Sequence, residues 1–95
     1  MNCPNHSRPI PLATVANELQ LIRLSRLVAR LTEGARFQRE AIEGALPPHP
    51  DDALEHERLQ AYRAGVADGL ARAAKYVEEQ RLELARISRA YEVAP

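Results

Sequence analysis

Pro47-Pro48-His49-Pro50 divides the chain into two long stretches without proline, and no other feature limits the possible folds so sharply. A proline disfavours the α conformation in the residue before it and cannot donate an intrahelical hydrogen bond. The stretches on either side, residues 12–46 and 52–92, are built mainly of strong helix formers. Each predicts one long helix, on the order of 50 Å and 60 Å respectively at 1.5 Å per residue. A loop as short as 47–51 makes consecutive helices antiparallel neighbours. The expected fold is therefore all-α, an antiparallel helical hairpin of residues 12–95. Residues 1–11 contain Pro4, Pro9 and Pro11 with little to bury, and are expected to form a flexible N-terminal arm.

Two positions refine the boundaries. Asp52 followed by Glu55 has the spacing of a capping box, which predicts a helix start at residue 52 with negative charge at the positive end of the helix dipole. Gly34 interrupts the first stretch, but a single glycine costs only about 1 kcal/mol inside a helix. One continuous first helix is expected.

The apolar pattern predicts how the helices pack. On the second helix Leu59, Tyr62, Val66, Leu70, Ala73, Val77, Leu84, Ile87 and Tyr91 recur at steps of three and four, with Gln80 as a polar member, and are expected to form the core seam. Tyr76, like Phe37 on the first helix, falls off the main stripes and suits an interface anchor. The first helix carries two apolar sets. Leu24, Leu27, Val28, Leu31, Ala35, Ile42 and Leu46 share a face that the hairpin partner can cover. Leu12, Val15, Leu19 and Ile22 share another, turned away by more than a quarter turn at 100° per residue, and need a different cover.

That surplus bears on assembly. A chain of 95 residues is small for a self-sufficient core, and two amphipathic helices expose more apolar surface than they hide from each other. Dimerisation into a four-helix bundle or coiled-coil-like assembly is expected. Ala61, Gly65, Gly69 and Ala73, at four-residue spacing, make a smooth strip where another backbone can approach closely. Leu12, Val15, Leu19, Ile22, Gly65 and Gly69 are accordingly the candidate partner-binding or dimer-interface residues.

Charge narrows the partners. Thirteen basic and thirteen acidic side chains leave no net charge, so the whole molecule has no bulk attraction for nucleic acid or an anionic membrane. A local exception is the ridge of Arg23, Arg26 and Arg30, which suits an acidic partner helix or, as an alternative, the phosphates of a nucleic acid. No apolar run resembles a signal peptide or a membrane span, and Cys3 is the sole cysteine. A cytoplasmic protein without disulfides is expected.

No pattern of residues carries catalysis. Glu78, Glu79 and Glu83 suit surface pairing with Arg86, Lys75 or Arg72 better than acid–base chemistry, no glycine-rich phosphate loop is present, and no serine or cysteine stands at a recognisable spacing from histidine. Cys3 and His6 have the spacing of half a zinc site, too little to predict a metal. No cofactor is expected. The sequence reads as a non-enzymatic interaction module, an accessory or regulatory protein of bacterial or phage type that binds and modulates a larger protein. The alternatives are a nucleic-acid-associated protein using the arginine ridge, and a self-assembling structural subunit.

Overall fold

The computed structural model describes residues 12–93, with the side chains of residues 15–90; residues 1–11, the expected arm with Cys3 and His6, lie outside them. Helix α1 runs Leu12–Glu43 and helix α2 runs Ala53–Val93. They pack side by side as the expected hairpin, and no strand occurs among the described residues. Helix α1 passes through Gly34 without interruption.

Both ends at the hairpin loop differ from the expected boundaries. Helix α1 stops at Glu43, short of Leu46: the Gly44 amide still donates to Glu40 O at 2.8 Å, but the Ala45 amide donates to Ile42 O at 3.4 Å in a tightened last turn. Low helix propensity at Gly44 and the restriction that Pro47 places on Leu46 bring the end forward. Before α2 the chain makes a 3-10 turn over Pro50–Asp52, with His49 in extended conformation as its cap. His49 Nδ1 accepts from the Asp51 amide at 3.2 Å, and its carbonyl accepts from the Asp52 amide at 2.8 Å. The expected capping box is replaced by this turn, because Pro50 supplies a φ already suited to a helical first turn.

The seam follows a strict alternation of four and three. On α1 the buried or half-buried positions include Asn17, Leu21, Leu24, Val28, Leu31, Ala35, Gln38, Ile42 and Ala45; on α2 they include His56, Gln60, Arg63, Ala67, Leu70, Ala74, Val77, Arg81, Leu84 and Ser88. This is the a/d pattern of a two-stranded coiled coil. Position a is held by Leu21, Val28, Ala35 and Ile42 on α1 and by Gln60, Ala67, Ala74, Arg81 and Ser88 on α2. Two contacts set the register. A Cβ added at Gly34 would lie 3.0 Å from Leu70 Cδ1, and Gln60 Nε2 donates to Ile42 O at 3.3 Å. Levels across the pair therefore join residues whose numbers sum to about 103, which brings Ala35 level with Ala67.

Small side chains meet at that point. Among the described residues Ala35, Ala67 and Ala74 are the buried hydrophobic ones, and no large side chain is fully buried. The core is thin. Gln60 also has a structural reason to sit in the seam, since its amide caps a carbonyl at the C-terminal end of α1 that lacks a full helical partner.

The expected α2 seam is thus corrected in part. Leu70, Val77 and Leu84 are seam residues and Val66 and Ala73 are half-buried beside them, but Leu59, Tyr62 and Ile87 are exposed, because their row lies one residue, or about 100°, around the helix from the row that meets α1. Tyr91 lies outside the described side chains. On α1, Leu24, Val28, Leu31, Ala35 and Ile42 meet α2 as expected, Leu21 joins them, and Leu27 and Leu46 are exposed.

Candidate protein-interaction surfaces

Three surfaces remain once the seam is closed. Outward from it, on the back of α1, Val15, Leu19 and Ile22 occupy positions b, f and b of the heptad. Leu19 is 52% exposed and Ile22 48% exposed, so the far end of α2 does not cover them. The side chain of Leu12 lies outside the described set. A b/f row points away from the hairpin mate, which is why Val15, Leu19 and Ile22 face solvent while the nearby Leu21 and Leu24 do not.

The two sides of the hairpin are unlike each other. Reversing one helix about an axis normal to the pair keeps both g positions on the same side, so each flank is built from matching heptad positions of α1 and α2. One flank, from positions e and b, carries Glu18, Ser25, Thr32 and Arg39 from α1 and Glu57, Ala64, Asp68, Lys75 and Glu78 from α2, with the exposed Val15, Ile22, Leu54 and Leu82 on its outer b edge. Its e positions, next to the seam, are charged, hydroxylic or alanine. The other, from positions g and c, carries Leu27, Gly34, Phe37 and Ala41 from α1 and Leu59, Tyr62, Val66, Gly69, Ala73 and Tyr76 from α2. Phe37, Tyr62 and Tyr76 are 67%, 69% and 62% exposed, more than single apolar side chains on a helix surface require, and they share one side.

Gly65 and Gly69 have nothing within 4 Å of the place a Cβ would occupy. Neither serves the contact with α1. Gly69 belongs to the apolar flank and Gly65 to the outward face beside it. Gly34 is the glycine that the hairpin itself uses, a role its position in sequence does not disclose, because only the register reveals Leu70 across from it.

Arg23, Arg26 and Arg30 are all exposed, and none takes part in the ion pairs among the described residues. Arg23 and Arg30 stand at position c, at the margin of the apolar flank, and Arg26 faces outward. Elsewhere charge is paired locally. Arg36 lies 3.5 Å from Glu33 and 3.8 Å from Glu40. Arg86 holds Glu83 through hydrogen bonds of 2.5 and 3.2 Å, and Arg81 grips both oxygens of Glu78. Hydrogen bonding to Arg81, with its charge adding in the same sense, lowers the Glu78 carboxyl below its ordinary value, while desolvation opposes the shift. Glu83 is lowered in the same way by Arg86. The Glu83–Arg86 pair was legible from the sequence; Glu78 chose Arg81, whose place in the seam half-buries it.

A depression of about 350 Å³ lined by Glu33, Gly34, Arg36, Phe37 and Glu40 lies on α1 alone, and among the described residues no three His, Cys, Asp or Glu side chains converge as metal ligands. No helix among the described residues is long and apolar enough to cross a membrane. The chain matches no protein-family model, no curated protein and no solved structure.

Proposed function

We propose that the chain is a non-enzymatic helical hairpin that acts by presenting the outward face of α1 to a larger protein, as an accessory or regulatory subunit. The observation that carries this reading is the row Val15, Leu19 and Ile22, apolar and exposed on the side of α1 turned away from α2. A groove between two helices of a larger protein would bury such a row, and the i, i+4, i+7 spacing is the one by which amphipathic helices anchor. Arg23, Arg26 and Arg30 stand on the same segment and favour an acidic rim on that partner. The ionisable groups with shifted protonation are surface Glu–Arg pairs, an arrangement that fits helix support better than proton transfer.

The test is affinity capture from the native host with the full chain beside Leu19→Asp and a triple Arg23, Arg26, Arg30→Glu variant. A defined protein retained by the wild type and lost with Leu19→Asp is expected. Nucleic acid recovered in its place, released by moderate salt and lost with the triple variant, would instead support the phosphate-binding alternative. Identical protein recovery by wild type and Leu19→Asp would remove the outward face from the function.

A further inference from the structure

We infer that the apolar flank is a self-association face, through which two copies of this chain stack into an antiparallel four-helix bundle with a two-fold axis at the level of Gly34 and Gly69. The inference goes beyond the docking reading and uses none of Val15, Leu19 and Ile22, the row on which that reading rests. It starts from angles. At 100° per residue, the g and c positions lie roughly at a right angle to the a/d seam, the direction in which a helix of a four-helix bundle meets its second neighbour. Both helices of the hairpin present that flank on the same side, so a second layer can cover both at once.

The residues on this flank are arranged symmetrically. On α2, Tyr62 and Tyr76 stand one heptad to either side of Gly69. On α1, Leu27 and Ala41 stand one heptad to either side of Gly34. The register that joins residues summing to about 103 puts Gly34 and Gly69 at one level. A single axis running across both helices at that level would lay α2 against the second copy's α2 and α1 against the second copy's α1. Tyr62 of each copy then meets Tyr76 of the other, and Phe37 comes level with Arg30 of the other, a geometry suited to a cation over a ring. The same patch facing itself with exchanged contacts is what a two-fold interface requires. A foreign partner would place no such constraint on both helices.

Area supports the same occupant. With each aromatic ring carrying 150–250 Å² and about two-thirds of it exposed, Phe37, Tyr62, Tyr76 and their aliphatic neighbours offer on the order of 600 Å² per chain. Two copies would bury on the order of 1,200 Å², the lower bound of a stable specific interface. The need is equally plain, since among the described residues the hairpin alone fully buries no large side chain. The open space at Gly69 lets the second helix approach the backbone at the axis.

Cross-linking tests the axis itself. In a Cys3→Ser background, Gly69→Cys places a thiol beside its own symmetry mate, within the Cα separation a disulfide allows, whereas Ala64→Cys, on the polar flank, does not. Sedimentation equilibrium of the unaltered full chain across a concentration series is expected to show a dimer. Mild oxidation is expected to cross-link the Gly69→Cys chain at least tenfold more completely than the Ala64→Cys chain, with helicity by circular dichroism unchanged in both. A wild type that sediments as a monomer at about 100 µM, or equal cross-linking at the two positions, would overturn the inference. Leu19→Asp separates the two proposals: it is expected to remain dimeric while losing any foreign partner, and its dissociation to monomers would also overturn the flank as the self-association face.

Discussion

The two flanks of this hairpin are made by the same two helices, run the same length and border the same seam, yet beside the seam one is polar and the other apolar. At the e positions the side chains are charged, hydroxylic or alanine; at g and c the central turns carry Leu27, Phe37, Leu59, Tyr62 and Tyr76. A hairpin that worked alone would have no physical reason for the difference, because both flanks would meet the same water. The asymmetry is what the proposed second contact, beyond the seam, would account for. A thin seam centred on Ala35 and Ala67 beside a bulky flank is the distribution expected when part of the core lies between molecules.

The comparison breaks most directly by moving charge between flanks. Tyr62→Glu combined with Tyr76→Glu is expected to weaken self-association by at least about 100-fold, since each of two symmetric contacts would have to desolvate a carboxylate. Thr32→Glu combined with Ala64→Glu, on the polar flank, is expected to change it less than about threefold. Sedimentation equilibrium reads both, and equal effects would mean that the flanks are not functionally distinct. A seam substitution should behave differently from either. Leu31→Ala is expected to cost about 2 kcal/mol of stability in a urea titration, because Leu31 lies at the level of Leu70 inside the hairpin, whichever flank is covered.

Much of this was legible before any coordinates, and the part that was not has a physical cause. The proline break, the unbroken passage through Gly34 and the two-faced character of α1 follow from propensity and periodicity. The seam row of α2 does not. It contains His56, Gln60, Arg63, Arg81 and Ser88, whereas the neighbouring row contains Leu59, Tyr62, Val66 and Ala73, so a hydrophobicity count prefers that neighbour, of which Val66 and Ala73 are half-buried beside the seam and Leu59 and Tyr62 are exposed. Close approach at Ala67 and Ala74 favours small side chains in the seam, and long polar ones such as Arg63 and Arg81 can lay their stems along it with the charged end outward. The same shift hid the apolar flank. Of the candidate site residues, Val15, Leu19 and Ile22 stood out because their face is far from the seam, while the partnership of Gly34 with Gly69 needs the register, which no single helix contains.

Glycine provides a finer probe of the flanks. Gly65→Ala and Gly69→Ala each place a methyl in open space, and each is expected to stabilise the isolated hairpin by about 1 kcal/mol through helix propensity. Measured at low concentration, the two should be indistinguishable. At concentrations where the chain associates they are expected to part: the Gly65→Ala chain keeps the full gain, while the Gly69→Ala chain gives up part of it because its methyl lies on the axis of contact. Equal behaviour at all concentrations would place the close approach somewhere other than Gly69.

The smallest effect is electrostatic, and it sharpens the comparison because the two Glu–Arg pairs lie on opposite flanks. Glu78, at position e, and Glu83, at position c, both have folded carboxyl values below the ordinary 4.5, each chiefly through a hydrogen bond to its arginine. A lowered folded value means that the contribution is fully present above the ordinary value and is lost as the pH falls through the folded one. Stability of the hairpin should therefore decline slightly on acidification below 4.5, and Glu78→Gln or Glu83→Gln should each remove its share of that decline, read from thermal melts across the acid range. Association should respond to one of them only. About an axis at Gly69, Glu83 comes level with Glu55 of the second copy, and like charges at neighbouring helical positions disfavour contact. Glu83→Gln is thus expected to tighten the dimer about twofold at neutral pH while Glu78→Gln leaves it unchanged; a tightening with Glu78→Gln alone would put the second copy on the polar flank.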